Sequence, residues 1–142
     1  MPARSAVTRA HQEARTHGND YIGTEHLLLG VLDANDDGAV VETLRSFNVT
    51  RQAVRWRVED SIGPVGEPQP GHVPFTPRAK STLQRSRYEA EVRGHHRVEP
   101  SDILAALMWE SESAAAKAVA SLGVHPADVR GHVISDGQST GE

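Results

Sequence analysis

The chain carries one pattern twice. Residues 13–32, EARTHGNDYIGTEHLLLGVL, align with residues 89–108, EAEVRGHHRVEPSDILAALM, at an offset of 76. Glu13, Ala14, Gly18, Leu28 and Leu32 then fall on Glu89, Ala90, Gly94, Leu104 and Met108. Further along, LRSFNVTRQAVRWRV (44–58) aligns with VASLGVHPADVRGHV (119–133) at an offset of 75, and Val49, Val54, Arg55 and Val58 meet Val124, Val129, Arg130 and Val133. One deletion in a loop near 33–38 or 109–113 accounts for the change of offset. Internal repetition of this kind requires each half to build the same unit.

The pattern within each copy is helical. Val54, Val58 and Ile62 step by four, as do Val129 and Val133, which is the spacing of one helix face. Thr24, Thr50, Thr76 before Pro77, Pro100 and Pro126 supply N-cap or first-turn residues. Aromatic content is 4% and no alternating run is long, so strands are not expected. Eight helices are predicted, over 3–17, 24–33, 38–47 and 50–61, then 77–93, 100–110, 113–121 and 126–134. Such short helices need packing on one another to persist. The expected fold is all-α, with two four-helix repeats at 1–62 and 76–134. Between them, the connecting stretch 63–75 opens GPVGEPQPGHVP and holds four of the eight prolines and three of the twelve glycines, so it reads as a linker. The tail 135–142, SDGQSTGE, offers nothing apolar to bury and reads as disordered.

Composition narrows the function. A chain of 142 residues can bury roughly 70% of its unfolded surface without a metal or disulfide. It has no cysteine, which excludes disulfides and thiolate zinc sites. With 15 basic and 19 acidic residues the net charge is -4, and the densest basic stretch, RQAVRWRVED, is followed by acids. A nucleic-acid partner is therefore not expected. Neither a membrane-length apolar run nor a signal-peptide core is present, and the protein is expected in the cytoplasm. No G-x-x-x-x-G-K-[ST] or G-x-G-x-x-G loop occurs, and the only lysines are Lys80 and Lys117. H-E-x-x-H and G-x-S-x-G are absent, and His95-His96 reads as a polar loop rather than two ligands of one metal. No metal, cofactor or catalytic residue is expected.

The stretch YIGTEHLLLG holds the most pointed candidates. Thr24 reads as a helix cap and Glu25 as a first-turn anion, favoured by the helix dipole by about 0.3–1 kcal/mol. His26 reads as exposed, with Leu27 to Leu32 entering the core.

Together with GHVPFTPRAK and the twofold repeat, this stretch resembles the N-terminal domain of the Clp ATPases, specifically the ClpC type of actinobacteria, over residues 3–134. The resemblance implies two four-helix repeats related by pseudo-twofold symmetry. It also implies a non-catalytic domain that receives substrates and adaptors for the ATPase and the ClpP peptidase. In some such domains a glutamate at the position of Glu25 contacts arginine phosphorylated on its guanidinium. By that likeness Thr24, Glu25, Thr76 and Arg78 form a phosphoarginine-like site: a carboxylate takes two parallel N–H bonds and helix N-terminal donors take phosphate. The second copy departs, since EPSDILAA (99–106) puts Ser101 where that glutamate would stand, with Glu99 and Asp102 nearby. The first copy departs too, opening MPARSAVTRA without the F-T-x-R-A that Phe75, Thr76, Arg78 and Ala79 preserve in the second. At most one degraded site is expected.

Arg85, Arg87 and Arg9 replace leucines usual in the family, which points to an altered partner-facing surface. His72, Phe75 and Lys80 match positions lining a groove for cyclic peptide antibiotics, although Phe75 also suits a hydrophobic staple onto the fifth helix. The implied partners are thus Clp ATPase and ClpP components, substrate peptides or adaptors, with antibiotic sequestration as an alternative. A fragment of a full-length Clp ATPase is a further alternative.

Overall fold

A computed structural model describes residues 2–34, 39–62, 67, 71 and 73–139. Eight α-helices form among the described residues: α1 (Pro2–Thr16), α2 (Thr24–Ala34), α3 (Ala39–Arg45), α4 (Arg51–Ile62), α5 (Pro77–Val92), α6 (Pro100–Trp109), α7 (Ala114–Ala120) and α8 (Pro126–Ser139). Each starts within a residue or so of its expected position. The last continues to Ser139, beyond the expected end at 134. Part of the stretch 135–142 that the sequence reads as a disordered tail thus lies within α8: once Val129 and Val133 are buried in the core, adding residues to an existing helix costs little. Residues 140–142, and most of the proposed linker, lie outside the described residues.

The repeat explains the turns. Gly18 and Gly94 follow α1 and α5 with φ of 73° and 78°, the left-handed conformation that ends a helix and that glycine adopts without a Cβ clash. Asn48 and Gly123 do the same after α3 and α7, at φ 62° and 86°; asparagine is among the few side chains that tolerate this region.

It also explains two matched columns of charge. Arg55 of α4 grips Glu13 of α1 through two parallel bonds, Nη1 to Oε1 at 3.0 Å and Nη2 to Oε2 at 2.7 Å. Arg130 of α8 meets Glu89 of α5 at 2.6 Å. Each pair ties the last helix of a repeat to its first. Burial alone would raise the Glu13 pKa, but the bonds and charge of Arg55 outweigh it and leave the carboxyl below its ordinary value.

The most buried helices are α2 and α6, which lie side by side at the centre. Gly30 lets α1 close on α2, since a Cβ there would run into the Ala6 carbonyl and meet the Ala10 nitrogen at 2.9 Å. In the second copy Ala106 stands at that place, opposite Thr82 and Ser86 of α5. One continuous apolar cluster runs from Ala6, Leu28 and Leu32 through Val54 and Val58 to Leu104, Leu107, Val129 and Val133. The repeats share it, because α3 packs on α6 and α8 while α4 packs on α7.

Candidate functional site

The start of α2 is built by its own side chains. His26 is fully buried, not exposed as the sequence suggests. Its Nδ1 accepts the Gly23 N–H at 2.9 Å, so the proton sits on Nε2, which donates to Asn19 Oδ1 at 2.8 Å. This is the N3-to-N-cap half of a capping box with imidazole in the place of Glu. Burial is the main cause of a His26 pKa lowered to about 4. In the second copy Asp102 performs the same task, accepting the Glu99 N–H at 2.8 Å. There the carboxylate is held by the Arg93 guanidinium and by the His95 ring, each at 2.8 Å.

Thr24 is the first residue of α2, one past the Gly23 cap position, and does not cap it. The Thr24 hydroxyl, 2% exposed, accepts the Ala115 N–H at 3.1 Å and so caps α7 of the other repeat. Its role is to join the halves. The expected function as cap of its own helix is corrected by this contact, 91 residues away in sequence.

Glu25 folds back over Gly23. A Cβ at Gly23 would collide with Glu25 Oε1, so glycine is what lets the carboxylate lie there. The side chain is 9% exposed. Its one hydrogen-bond partner among the described residues is the Tyr21 hydroxyl at a long 3.5 Å, and no cation stands within ion-pair distance among them. Burial first, and the Glu25 charge second, raise the Tyr21 pKa.

The two motifs of the sequence meet here. Ile22 and Phe75 form an isolated parallel bridge, with Ile22 N–H donating to Pro74 O at 2.7 Å and Thr76 N–H to Ile22 O at 2.9 Å. The loop leading to Glu25 is thereby stitched to the start of α5. Thr76 caps α5, its hydroxyl accepting the Ala79 N–H at 3.1 Å. Arg78 is exposed on the first turn of α5, 3.9 Å from Glu110. Phe75 is partly buried and packs against the core, and Lys80 is exposed. His72 lies outside the described residues.

The model of the Clp repeat (R) N-terminal domain matches residues 1–122 and again 74–137. The chain belongs to that family. It is 35% identical over 132 residues to "Chaperone protein ClpC2, chloroplastic" of Oryza sativa subsp. japonica, a match covering 93% of this chain and 14% of that protein. Against "ATP-dependent Clp protease ATP-binding subunit ClpA homolog" of Porphyra purpurea it is again 35% identical over 132 residues, with 93% and 16% covered. The chain therefore spans about one-seventh of the length of these curated relatives.

Solved structures agree on the fold. The N-terminal domain of the chaperone ClpD from Arabidopsis thaliana superposes with a TM-score of 0.74 at 18% identity, covering 95% of this chain and 91% of that one. The Hsp104 N-terminal domain from Candida albicans gives 0.74 at 15% identity, covering 93% and 86%. The all-α double repeat is thus the family fold. Among the described residues no helix is long and apolar enough to cross a membrane.

The sequence singles out Arg85 but not the aromatic partners, Tyr88 and Trp109, with which it forms the other notable surface. Arg85 and Tyr88 are three apart on α5, a same-face spacing, but nothing local tells that α6 brings Trp109 to them.

Proposed function

We propose that this chain is a non-catalytic receiving domain of a Clp chaperone–protease system, and that Glu25 is its seat for the guanidinium of a phosphorylated arginine. The observation that carries the reading is the Glu25 carboxylate itself: almost buried, and without a cation among the described residues. A carboxylate in that condition is free to take an incoming guanidinium through two parallel charge-assisted bonds. The bridge at Ile22 and Phe75 joins the loop before Glu25 to the start of α5, the helix that carries Thr76 and Arg78; a helix N-terminus and a guanidinium favour a phosphate. The domain in this role presents tagged clients to a Clp ATPase and its ClpP peptidase, or competes for them.

The second copy lacks this chemistry. Ser101 replaces the glutamate and its hydroxyl accepts from Arg93 Nη1 at 3.3 Å, so a cation of the protein already occupies the place. One ligand per chain is expected.

Calorimetric titration with free phosphoarginine tests the reading on the parent protein and on Glu25→Gln. Binding at one site, weakened about tenfold or more in the variant, is the expected result for loss of a charged hydrogen-bonding partner. No binding to the parent, or equal binding to both, would refute it.

A further inference from the structure

The start of α5 faces the end of α6 across a groove of about 490 Å³, which sets Arg78, Ser81 and Arg85 opposite Ala106, Trp109 and Glu110. Arg85 is the organised part. Its guanidinium carbon lies 4.1 Å from the Trp109 ring centroid and 4.6 Å from that of Tyr88. Its Nε donates to Glu89 Oε2 at 2.9 Å, and Glu89 is buried and anchored in turn by Arg130. Two aromatic faces and a buried carboxylate thus fix the plane of the fork. The terminal nitrogens have no hydrogen-bond partner among the described residues. An arginine immobilised beforehand loses less freedom when it binds than a free one. Beside it Trp109 and Tyr88 are each 53% exposed, and Trp, Tyr and Arg are the side chains that dominate binding energy at protein interfaces.

Charge selects the occupant. Arg78 and Arg85 outnumber Glu110 in the groove wall by one positive charge, on a chain whose net charge is -4. We propose that this groove docks a short peptide segment carrying a carboxylate side chain next to an aromatic or aliphatic one. The carboxylate takes two bonds from the Arg85 fork, and the apolar side chain lies on Trp109. A dianionic phosphate is disfavoured at Arg85, because that guanidinium already shares its charge with the buried Glu89 carboxylate. The inference rests on the chain being a peptide receiver, but its ligand and its decisive side chains differ from those of the Glu25 seat, so each can fail alone.

The other repeat supplies a control. Arg9 is the counterpart of Arg85 at the offset of 76, and it is exposed. It sits among Arg4, Ser5, Thr8 and Gln12, with Asp33 where the second copy has Trp109. That arginine has the charge without the bracket.

Fluorescence polarisation with a fluorescein-labelled Gly-Gly-Glu-Phe-Gly peptide, and with its Gln and phosphoserine counterparts in place of Glu, tests the proposal. The Glu peptide should bind, the Gln peptide about tenfold or more weakly. Arg85→Gln and Trp109→Ala should each weaken the Glu peptide by a similar factor, whereas Arg9→Gln should shift it less than about twofold. If Arg85→Gln fails to fold by circular dichroism, Arg85→Lys keeps the charge and removes the planar fork, and the same weakening is expected. In a Trp56→Phe background the emission of Trp109 should shift on saturation. Absence of binding to the folded parent, equal losses for Arg9→Gln and Arg85→Gln, or tighter binding of the phosphoserine peptide would each overturn the proposal.

Discussion

Acid should destabilise this domain through His26 before it reaches the carboxylates. The ring is fully buried, and its pKa is lowered from 6.5 to about 4. Between those values the unfolded chain holds more protons than the folded one, so stability is complete above pH 6.5 and is lost as the pH falls toward 4. At about 1.4 kcal/mol per unit the loss amounts to roughly 3 kcal/mol, a large share of a marginal domain's stability. The depressed Glu13 acts lower, since its contribution is present above its ordinary value of 4.5 and lost below it. The assay is urea unfolding at half-unit steps from pH 7.5 to 4.5, on the parent and on His26→Gln. Glutamine at that position can still accept the Gly23 N–H but cannot titrate. At pH 7 the variant should be the less stable protein by about 1 kcal/mol. The difference should shrink and then reverse as the pH falls, because every other titrating group is common to both. Parallel curves would refute the reasoning, and so would a His26 imidazole found protonated at pH 5.5 by NMR.

Two further substitutions probe the frame. Thr24→Val keeps the shape but leaves the buried Ala115 N–H without an acceptor, and should cost about 1–3 kcal/mol in chemical denaturation. Gly30→Val should cost about 2 kcal/mol or more, read as a fall in Tm, since α1 has no room to retreat from a side chain between Ala6 and Ala10. By contrast Gly131→Ala, with open space around its Cβ in α8, should stabilise by about 0.5–1 kcal/mol.

Periodicity and punctuation made the helices legible: the four-residue steps of Val54, Val58 and Ile62, and the Thr and Pro starts, placed all eight. Repetition located Glu13, Arg55, Glu89 and Arg130 as matched columns, yet could not show that the first member of each half bonds the last. That needs the helices folded onto each other. The failures share one cause. Thr24 and His26 each have two plausible local roles, and which role each takes was decided by Ala115, 91 residues on, and by Asn19 across a turn. Glu25 was legible as a candidate through its motif; that no cation among the described residues pairs with it was not, because an empty neighbourhood leaves no trace in sequence. The extra turns of α8 escaped for the opposite reason, since polar residues there extend a helix already paid for by Val129 and Val133.

The common core of the two repeats bears on how the protein withstands breakage. With α3 and α4 packed on helices of the other half and Thr24 capping α7, neither half presents a finished surface by itself. A protease cut at Glu67, between the halves, would leave two pieces whose sticky faces are each other's natural complement. Such a nicked protein should migrate as one particle under native conditions and separate only in denaturant. Halves expressed as separate polypeptides should likewise reconstitute the domain when mixed, so the smallest heritable unit here is the pair.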